Sequence, residues 1–337
     1  MTSVTLGPEL GEQHKQRPGR AIVIAFVIIP FVAVIATVPL AWHSWVSWHD
    51  IAIAAVMYAI TGHGLTVGLH RYFTHGAFKA RRPLRLALGI AGSLVVEGPI
   101  AHWVATHRCH HAFSDKEGDP HSPWRYGVTV GAVCKGLLHA HVGWMFGAGK
   151  VSGERYAPDI LADRYIMRIS RLFPVWAALS LALPAVAGGF WSMSWAAALS
   201  AFFWGGLVRV CVLHHLTWSI NSVSHVMGAR PFRTRDRATN IWPLAVLAMG
   251  EFHNTHHAHP TLARAGVDRG QLDSSARLIQ LFESLGWAYD VHWPRQDRLD
   301  ARRRMSTQAL PSGTYARDEY DASSPSAPLQ EGYRRDN

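Results

Sequence analysis

The sequence predicts an all-α integral membrane protein, in which four transmembrane helices form two hairpins beneath a cytoplasmic helical cap. Three observations support this fold class. Nearly half of the 337 residues are hydrophobic, and they gather in long runs without charge. Lysine and arginine avoid the shortest connections between these runs, and histidines cluster near the ends of the runs. We therefore expect the cap to hold a histidine-rich site for two metal ions.

Four apolar segments are long enough to cross a bilayer as helices. A helix rises about 1.5 Å per residue, so about 20 residues cover a hydrocarbon core of about 30 Å. The predicted spans cover approximately residues 21–42, 51–69, 172–191 and 194–218. Any one of them could be a buried helix of a soluble domain, but four in one chain favour a membrane protein. The shorter apolar segment Leu86–Val96 is expected to form a re-entrant or interfacial helix.

The distribution of lysine and arginine predicts the orientation, because cytoplasmic loops are enriched in these residues. Residues 1–20 carry three of them and residues 70–171 carry fourteen, whereas the connections at 43–50 and 192–193 carry none. We expect both termini and the metal site to face the cytoplasm. The net charge of +10 fits cationic loops on anionic lipid head groups, so we expect no nucleic-acid binding.

The chain divides into one membrane domain and two polar ends. We place a polar lead at residues 1–20, the membrane domain at 21–293 and a tail at 294–337. The tail is rich in serine, proline, arginine and aspartate, which predicts disorder. The three cysteines show no C-x-x-C spacing and lie in segments expected on or near the reducing side. We therefore expect neither disulfide bonds nor a cysteine metal site.

Three histidine clusters lie beside the predicted spans. They read HRYFTH, HRCHH and HNTHH and contain His70, His75, His107, His110, His111, His253, His256 and His257. In H-x-x-H-H the side chains at i, i+3 and i+4 share one helix face, so three imidazoles can converge on a metal. Neutral imidazole suits zinc, copper, iron and nickel, and eight ligands exceed the needs of one four-coordinate ion, which predicts two metals. No run of carboxylates accompanies the clusters, which indicates a site built from imidazoles.

The residues around the clusters argue against two classes of metal protein, the zinc hydrolases and the metal transporters. A zinc hydrolase usually carries a general-base glutamate after the first histidine, whereas Arg71, Arg108 and Asn254 occupy these positions here. A metal transporter would place ligands within its spans, and only His63 lies in mid-span. The clusters therefore favour a third kind of site. It would be a redox pair of metals at the membrane surface that acts on a molecule partitioning into lipid. The spacing alone does not identify iron.

The clusters resemble those of the membrane-bound fatty acid desaturases, and more narrowly the acyl-CoA delta-9 desaturases of the stearoyl-CoA type. The family pattern is H-x4-H followed by two H-x2-H-H boxes. The surroundings are also similar, at GDPH (118–121), HVGWMF (141–146), TWSINSVSH (217–225) and GWAYD (286–290). The resemblance covers about residues 20–293. It implies O2-dependent insertion of a cis double bond, at the delta-9 position of a saturated long-chain acyl-CoA.

The resemblance also implies a site with two Fe2+ ions. In that family a ninth histidine and an asparagine complete the site, and the matching positions are His225 and Asn221, the latter through a water. The implied metal-binding residues are His70, His75, His107, His110, His111, Asn221, His225, His253, His256 and His257. No catalytic residue is predicted beyond these ligands.

Substrate positions follow from the same resemblance, because a kinked hydrophobic tunnel holds the acyl chain in that family. The matching positions are Ala54, Tyr58, Glu97, Trp103, Thr217 and Trp218. Tyr58 would close the far end of the tunnel, or else it packs between helices. Glu97 stands where relatives commonly carry Gln, or else it lies at the membrane interface. Lys150 and Arg155 are the expected cations for the carrier head group. Ala105 replaces a usual basic residue, so acyl-carrier protein and a phospholipid ester stay open as carriers beside acyl-CoA.

The electron donor is expected to be a separate protein. The chain shows no cytochrome b5-like haem segment, ferredoxin cysteine spacing or G-x-G-x-x-G fingerprint. A ferredoxin, a cytochrome b5-type protein or an NADPH-dependent reductase would supply electrons at the basic cytoplasmic face. Two alternative functions stay open: a related di-iron hydroxylase of alkanes or lipids, and a non-enzymatic membrane metal carrier. An alcohol product indicates the first, and labile metal without oxygen consumption indicates the second.

Overall fold

The computed structural model describes residues 20–42, 45–147 and 151–308, and these residues form mostly helices. The helices are α1 (Arg20–Trp42), α2 (Trp48–His63), α3 (Arg82–Ser93), α4 (Ile100–Phe113), α5 (Val130–His141), α6 (Gly153–Tyr156), α7 (Pro158–Ala162), α8 (Arg164–Arg171), α9 (Phe173–Ser192), α10 (Trp195–Ala201), α11 (Arg209–Ser222), α12 (Trp242–Leu247), α13 (His253–Ala258), α14 (Ser274–Ser284) and α15 (Gln296–Gln308). Turns of π-helix at Gly64–Thr74 and Phe202–Val208 continue α2 and α10, and 3₁₀ turns form at Gly143–Phe146 and Val223–His225. Within the described residues, β1 (Lys79–Ala80) and β2 (Ala288–Tyr289) pair antiparallel, with Lys79 opposite Tyr289 and Ala80 opposite Ala288.

Three continuous helical stretches are long and apolar enough to cross a membrane. They cover Trp48–Thr74, Phe173–Ser192 and Trp195–His225. These stretches support the membrane protein that the sequence predicts. The first predicted span corresponds to α1, whose apolar part Val27–Trp42 is a shorter helix, so a fourth span stays a prediction. The first and third stretches run past the predicted ends at residues 69 and 218, because the helices continue through polar turns that carry histidines.

A buried carboxylate fixes the start of the second helix. Asp50 is 3% exposed, and it forms a capping box in which its side chain accepts hydrogen bonds from the Ser47 backbone and hydroxyl. Its Oδ2 also accepts a hydrogen bond of 2.8 Å from Ser200 Oγ. Asp50 therefore joins α2 to α10 in addition to capping α2.

Close backbone packing positions the far end of the same helix. A Cβ atom at Gly64 would lie 2.4 Å from the carbonyl group of Ala91 in α3, so only glycine allows this approach. The chain adopts π-helical geometry from Gly64 onward, a feature frequent at functional sites. The π-helical turn carries His70, and His75 follows directly after it.

The short helix expected at Leu86–Val96 begins and ends earlier than predicted. It is α3, which follows Arg81 and has Pro83 in its first turn, where proline favours a helix start. Its charged first turn is stabilised because Arg85 pairs with Asp163 at 3.0 Å. The predicted segment began only after Arg85, because it was defined by apolar residues and the first turn of the helix is charged.

The largest hydrophobic cluster packs the histidine-bearing segments together. Val67 and Leu69 belong to the π-helical turn, whereas Ile100 and Val104 belong to α4. All four are less than 2% exposed. Ile279 of α14 completes this part of the cluster. The segments that carry the first two histidine clusters are therefore held by their apolar sides.

Arg71, which follows the first histidine of HRYFTH, is fully buried. Its guanidinium donates hydrogen bonds to Asp273 at 3.0 and 3.2 Å. It also donates to the carbonyls of Ala263 and Gly250 at 2.7 and 3.2 Å. These carbonyls flank HNTHH in the sequence, so Arg71 fixes the first histidine cluster relative to the third.

Arg108, which follows the first histidine of HRCHH, has a similar role. It donates to the carbonyls of Phe73 and Thr74 at 2.8 and 2.9 Å and pairs with Asp159. The second cluster is therefore bonded to the backbone of the first.

The start of the tail differs from its prediction. Helix α15 occupies residues that we expected to be disordered, with Leu299 buried and Arg303 paired to Asp268. The apolar contact and the ion pair stabilise this helix against the core, although its composition is polar. The rest of the predicted tail, 309–337, and the lead up to residue 19 lie outside the described residues.

We expect Arg71→Ala to destabilise the fold strongly. Removing one partner of a buried ion pair leaves the other uncompensated and costs about 3–5 kcal/mol. Thermal unfolding of the metal-free protein in detergent should show a melting temperature lower by several degrees. Lys79→Ala is the matched control, because Lys79 pairs with Asp290 at 3.0 Å with both side chains more than half exposed. Equal melting temperatures for the two variants would contradict this assignment.

Candidate metal centre

The nine histidines predicted as ligands come together in two groups. The first group contains His70, His75, His107, His111 and His256, and the second contains His110, His225, His253 and His257. Within each group, one ring nitrogen of every member lies within 4.8 Å of the others. The fold therefore assembles histidines from the π-helical turn, α4, α13 and the 3₁₀ turn that ends in His225.

Each H-x-x-H-H cluster is divided between the two groups. His107 and His111 join the first group, while His110 joins the second. In α13 the arrangement is reversed, and only His256 joins the first group. The spacing allowed the three imidazoles of one cluster to converge on one metal, but the fold divides them between the two groups. With 3.6 residues per turn, i and i+4 lie about 40° apart, whereas i+3 lies about 60° to the other side of i.

The ε nitrogens of the first group point at one another. His256 Nε2 lies 3.0 Å from both His70 Nε2 and His111 Nε2, and His111 Nε2 lies 3.1 Å from His107 Nε2. A neutral ε nitrogen carries either a proton or a lone pair, so these three contacts cannot all be hydrogen bonds. A cation between the rings would satisfy all four nitrogens. Metal–nitrogen bonds of about 2.1 Å at right angles separate two ligand nitrogens by about 3.0 Å, as found here.

The second group has the same orientation. His225 Nε2 lies 2.8 Å from His253 Nε2. The ε nitrogens of His110 and His257, and that of His75 in the first group, are buried without a hydrogen-bond partner among the described residues. Buried polar atoms without partners are costly. This donor set therefore fits two metal ions of the class that imidazole binds.

Four carboxylates lie behind the histidines and orient them. The pairs are Glu251 with His70, Asp119 with His110, Asp115 with His225, and Asp236 with His257, each joined through Nδ1 at 2.8 to 3.1 Å. A carboxylate that accepts the Nδ1 proton fixes the tautomer and leaves Nε2 for a metal. The inward-facing nitrogens thus belong to imidazoles, and the carboxylates lie behind the rings, although no run of carboxylates accompanies the clusters in the sequence.

The sequence held a partial signal for these carboxylates. Glu251 stands two residues before HNTHH, and Asp115 and Asp119 stand in SDKEGD, which begins three residues after the end of HRCHH. Asp236 gave no such signal, because 21 positions separate it from His257. Single acids at these distances do not form a recognisable run, so pairing in space was needed to find them.

Burial keeps six of the nine inner imidazoles neutral. It lowers the pKa of His75, His107, His111, His253, His256 and His257 well below the ordinary value, and neighbouring imidazoles lower it further. Burial alone would raise the pKa of Asp119, but the electrostatic attraction of His110 and the hydrogen bond from its ring lower that pKa overall. Neutral imidazoles backed by ionised carboxylates are the form that binds a divalent cation.

A cavity opens beside the first group, and Trp103, Trp218 and Asn221 contribute to its lining together with His107. Trp103 stacks on His107, with ring centroids 5.0 Å apart, and donates its indole N–H to Glu97 at 2.9 Å. Burial raises the pKa of Glu97 to about 7, and the bond from Trp103 opposes this rise. A cavity with tryptophans and one weakly acidic carboxyl group in its lining therefore borders the histidines.

Comparison with known proteins identifies the family. The model of the family described as fatty acid desaturase matches residues 40–293. The chain belongs to the fatty acid desaturase family. The family inferred from the histidine clusters is thus confirmed, and the enzyme is an oxidoreductase of the membrane desaturase class.

Curated relatives of this desaturase differ in the acyl carrier that their names state. The chain is 37% identical over 284 residues to a hex-5-enoyl-[acyl-carrier protein] acetylenase of Moorena producens, covering 83% of this chain and 88% of that protein. It is 32% identical over 264 residues to delta-9 acyl-lipid desaturase 1 of Arabidopsis thaliana, covering 77% and 80%. It is 34% identical over 266 residues to an acyl-CoA C20 delta-5 desaturase of Anemone leveillei, covering 77% and 78%.

The predicted substrate positions of this desaturase divide into two sets. Glu97, Trp103 and Trp218 line the cavity, and Thr217 lies next to it with its hydroxyl bonded to the Leu213 carbonyl at 2.9 Å. The interfacial alternative for Glu97 is thereby less favoured than a place beside the histidines.

The second set lies apart from this cavity or outside the described residues. Ala54 and Tyr58 are on α2, and neither contributes to the cavity lining found among the described residues. The Tyr58 hydroxyl donates to the Leu247 carbonyl at 2.7 Å, as expected for a tyrosine packed between helices. Arg155 is exposed on α6, whereas Lys150 lies outside the described residues.

His121 is a site residue that sequence reasoning missed. It forms a third group with His110 and Asp119, lines the cavity, and stacks on His110 with ring centroids 4.3 Å apart. Burial lowers the pKa of His121 to about 3, so the ring is neutral. It stands in GDPH, two residues after Asp119, and that motif was quoted only for its resemblance. Cys109, by contrast, directs its thiol to the Gly118 carbonyl.

We expect Asp119→Asn to weaken metal binding about 10- to 100-fold, the usual effect of losing a carboxylate behind a ligating histidine. Competition between the protein and a chelator for Fe2+ would measure the change. Asp297→Asn is the control, because Asp297 pairs with Arg295 at an exposed position. An Asp119→Asn protein that keeps wild-type metal affinity would contradict the orienting role.

Proposed function

We propose that this desaturase inserts a cis double bond at the delta-9 position of a saturated long-chain acyl group, with two iron ions, O2 and an external electron donor. The observation that carries the proposal is the two groups of inward-facing imidazoles beside a cavity lined by Trp103 and Trp218. The overall change is balanced: the acyl chain gives two electrons and two protons, the donor gives two electrons, and O2 with two further protons becomes two waters.

Each histidine group would hold one iron ion. Asn221 lines the cavity one helical turn before His225, which supports its proposed place as an indirect ligand of the second ion through a water. The bound irons would supply the oxidation of two neighbouring methylene carbons by O2. The chain's own residues hold the imidazoles in the required tautomer through the four carboxylates behind them.

The cavity residues position the acyl chain and exclude water. Trp103 is fixed between His107 and Glu97, so its ring forms a rigid wall next to the metals. Trp218 is 4% exposed and forms another part of the wall. A wall of this kind holds a flexible chain near the reacting centre, which lowers the entropic part of the barrier.

We further propose that the metal site and both termini face the cytoplasm. Two of the candidate spans, Trp48–Thr74 and Trp195–His225, end at the histidine groups, so both would reach the same side of the membrane there. The arginine-rich segments follow these ends, as the positive-inside rule requires.

Product analysis tests the proposed reaction. Expression in cells without desaturase activity should yield lipids with a delta-9 cis double bond, located by mass spectrometry. The purified iron-loaded protein should convert stearoyl-CoA in preference to stearoyl-acyl-carrier protein and a stearoyl phospholipid, since we propose CoA as the carrier.

Three outcomes would contradict parts of the proposal. Saturated lipids alone, despite bound iron and a working donor, would reject a desaturase. An alcohol in place of the alkene would indicate the hydroxylase. Conversion of a different carrier would leave the reaction intact and overturn only the assignment to CoA.

Glu97 should make the activity depend on pH near neutrality. Its raised pKa means that the carboxyl group is neutral below about pH 7 and charged above it. A buried charge beside a hydrocarbon chain is unfavourable, so acyl-chain affinity should fall as the pH rises through 7. Measured KM values should lose this dependence in Glu97→Gln. Glu283→Gln is a matched control, because Glu283 also accepts a tryptophan N–H, from Trp293 at 2.8 Å.

Tyr58→Ala should admit longer acyl chains, because Tyr58 is proposed to close the far end of the tunnel. Chain-length profiles with saturated acyl groups of increasing length would measure the effect. Tyr58→Phe keeps the ring and removes only the hydrogen bond to the Leu247 carbonyl, so it should keep the wild-type profile. Unchanged profiles for both variants would assign Tyr58 to helix packing alone.

A further inference from the structure

An arginine-rich loop lies outside the second histidine group. It follows the 3₁₀ turn that ends in His225, and residues 230–237 contain four arginines and one acid. The arginines are Arg230, Arg233, Arg235 and Arg237, of which the first three are exposed. The acid is Asp236, whose side chain accepts a hydrogen bond from buried His257. The outward charges of this loop are therefore all positive.

The loop contacts the metal centre at two points. Asp236 Oδ2 lies 3.0 Å from His257 Nδ1. The backbone N–H of Arg237 donates to Asp115 Oδ2 at 2.7 Å, and the same oxygen lies 2.8 Å from His225 Nδ1. Two histidines of the second group are thus one carboxylate away from the loop backbone.

Trp124 adds a third connection. The Arg237 guanidinium lies 4.0 Å above the Trp124 ring, and the indole N–H donates to the His225 carbonyl at 2.9 Å. An aromatic ring therefore lies between a surface cation and the second group.

The loop is held in place by buried hydrogen bonds. The Asn254 side chain accepts from the Phe232 backbone N–H and donates to the carbonyls of Phe232 and Ala238, each at 2.9 Å. A backbone bridge joins Ala229 to Asn240 at the base of the loop. The positive charges are thus presented on an ordered surface, and none of the residues that line the cavity comes from it.

We propose that the loop Arg230–Arg237 is the docking surface for an acidic one-electron carrier protein, and that electrons enter through the second histidine group. The proposal rests on the proposed function, which needs two electrons from outside. Each docked carrier is oxidised by one electron, so two successive carriers supply the pair. Charge complementarity selects the acidic partner, and the short distance from the loop to His257 and His225 selects this face.

A charge-reversal experiment tests the docking surface. The probe is an acidic plant-type [2Fe–2S] ferredoxin, added in neutral detergent and without O2 to protein loaded with ferric iron, which accepts one electron from each ferredoxin and becomes ferrous. Two quantities are measured at low and high salt: the equilibrium affinity for oxidised ferredoxin, and the rate at which reduced ferredoxin is oxidised. Arg233→Glu/Arg235→Glu should lower both about tenfold or more at low salt, with a weaker salt dependence than wild type.

Two controls separate docking from general effects. Arg233→Lys/Arg235→Lys keeps the charge and should stay near wild type. Arg277→Glu/Arg298→Glu reverses two exposed charges on α14 and α15 and should change both quantities less than about twofold. Iron content checks that each variant is folded, and Arg235→Glu alone replaces the double variant if its iron is lost.

The docking proposal and the proposed desaturase reaction can fail separately in this experiment. Ferredoxin affinity within about twofold of wild type in the loop reversal, or an equal loss in the α14 and α15 reversal, would overturn the docking proposal. Charge-dependent ferredoxin binding and oxidation without any alkene would support docking and count against the desaturase reaction.

Discussion

The structure depends on holding nine imidazoles with their ε nitrogens face to face in a buried space. Unprotonated nitrogens repel one another until a cation lies between them, so the ligands cannot assemble the site by mutual attraction. The surrounding protein must hold them. It does so with carboxylates behind four of the rings and with buried hydrogen bonds between the segments that carry them. Burial also favours the neutral form of a ring, because a neutral ring is easier to bury than a charged one. The neutral form is the one that binds metal.

The residue after the first histidine of each cluster supplies much of that support. Arg71, Arg108 and Asn254 occupy these positions, and each donates hydrogen bonds to backbone carbonyls of another segment. Asn254 fixes the loop that brings Asp236 to His257, so a single amide supports both the carboxylate and the surface outside it. These positions excluded a zinc hydrolase on chemical grounds in the sequence. In the structure these side chains join separate segments by hydrogen bonds. Each cluster therefore contains both metal-binding candidates and a residue that fixes their position.

Local sequence patterns were enough to predict the histidine site and the family. Histidines at i, i+3 and i+4, placed at the ends of apolar runs, predicted a two-metal site at a membrane surface, and the family followed from their order. Features that depend on distant contacts were not accessible. The division of each cluster between two groups depends on how α4 faces α13, and the pair of Asp236 and His257 depends on the loop between them. His121 was hidden because one histidine in a motif carries no spacing signal. The ends of two spans were misplaced because hydropathy falls where polar side chains turn into protein, while the helix continues.

The site lies at the ends of two candidate spans. In the proposed reaction this position would let the acyl chain arrive from the lipid and the electrons arrive from a carrier in water. The cavity is bordered by tryptophans and reaches the first group at His107, and in the proposed reaction these side chains would form the wall that positions the acyl chain. The second group instead has Asp236 and Asp115 behind it, and the backbone of a polar loop behind these carboxylates. His111 of the first group stacks on His257 of the second at 4.4 Å between ring centroids. The proposed route of the hydrocarbon and the proposed route of the electrons would therefore meet at adjoining imidazoles of the two groups.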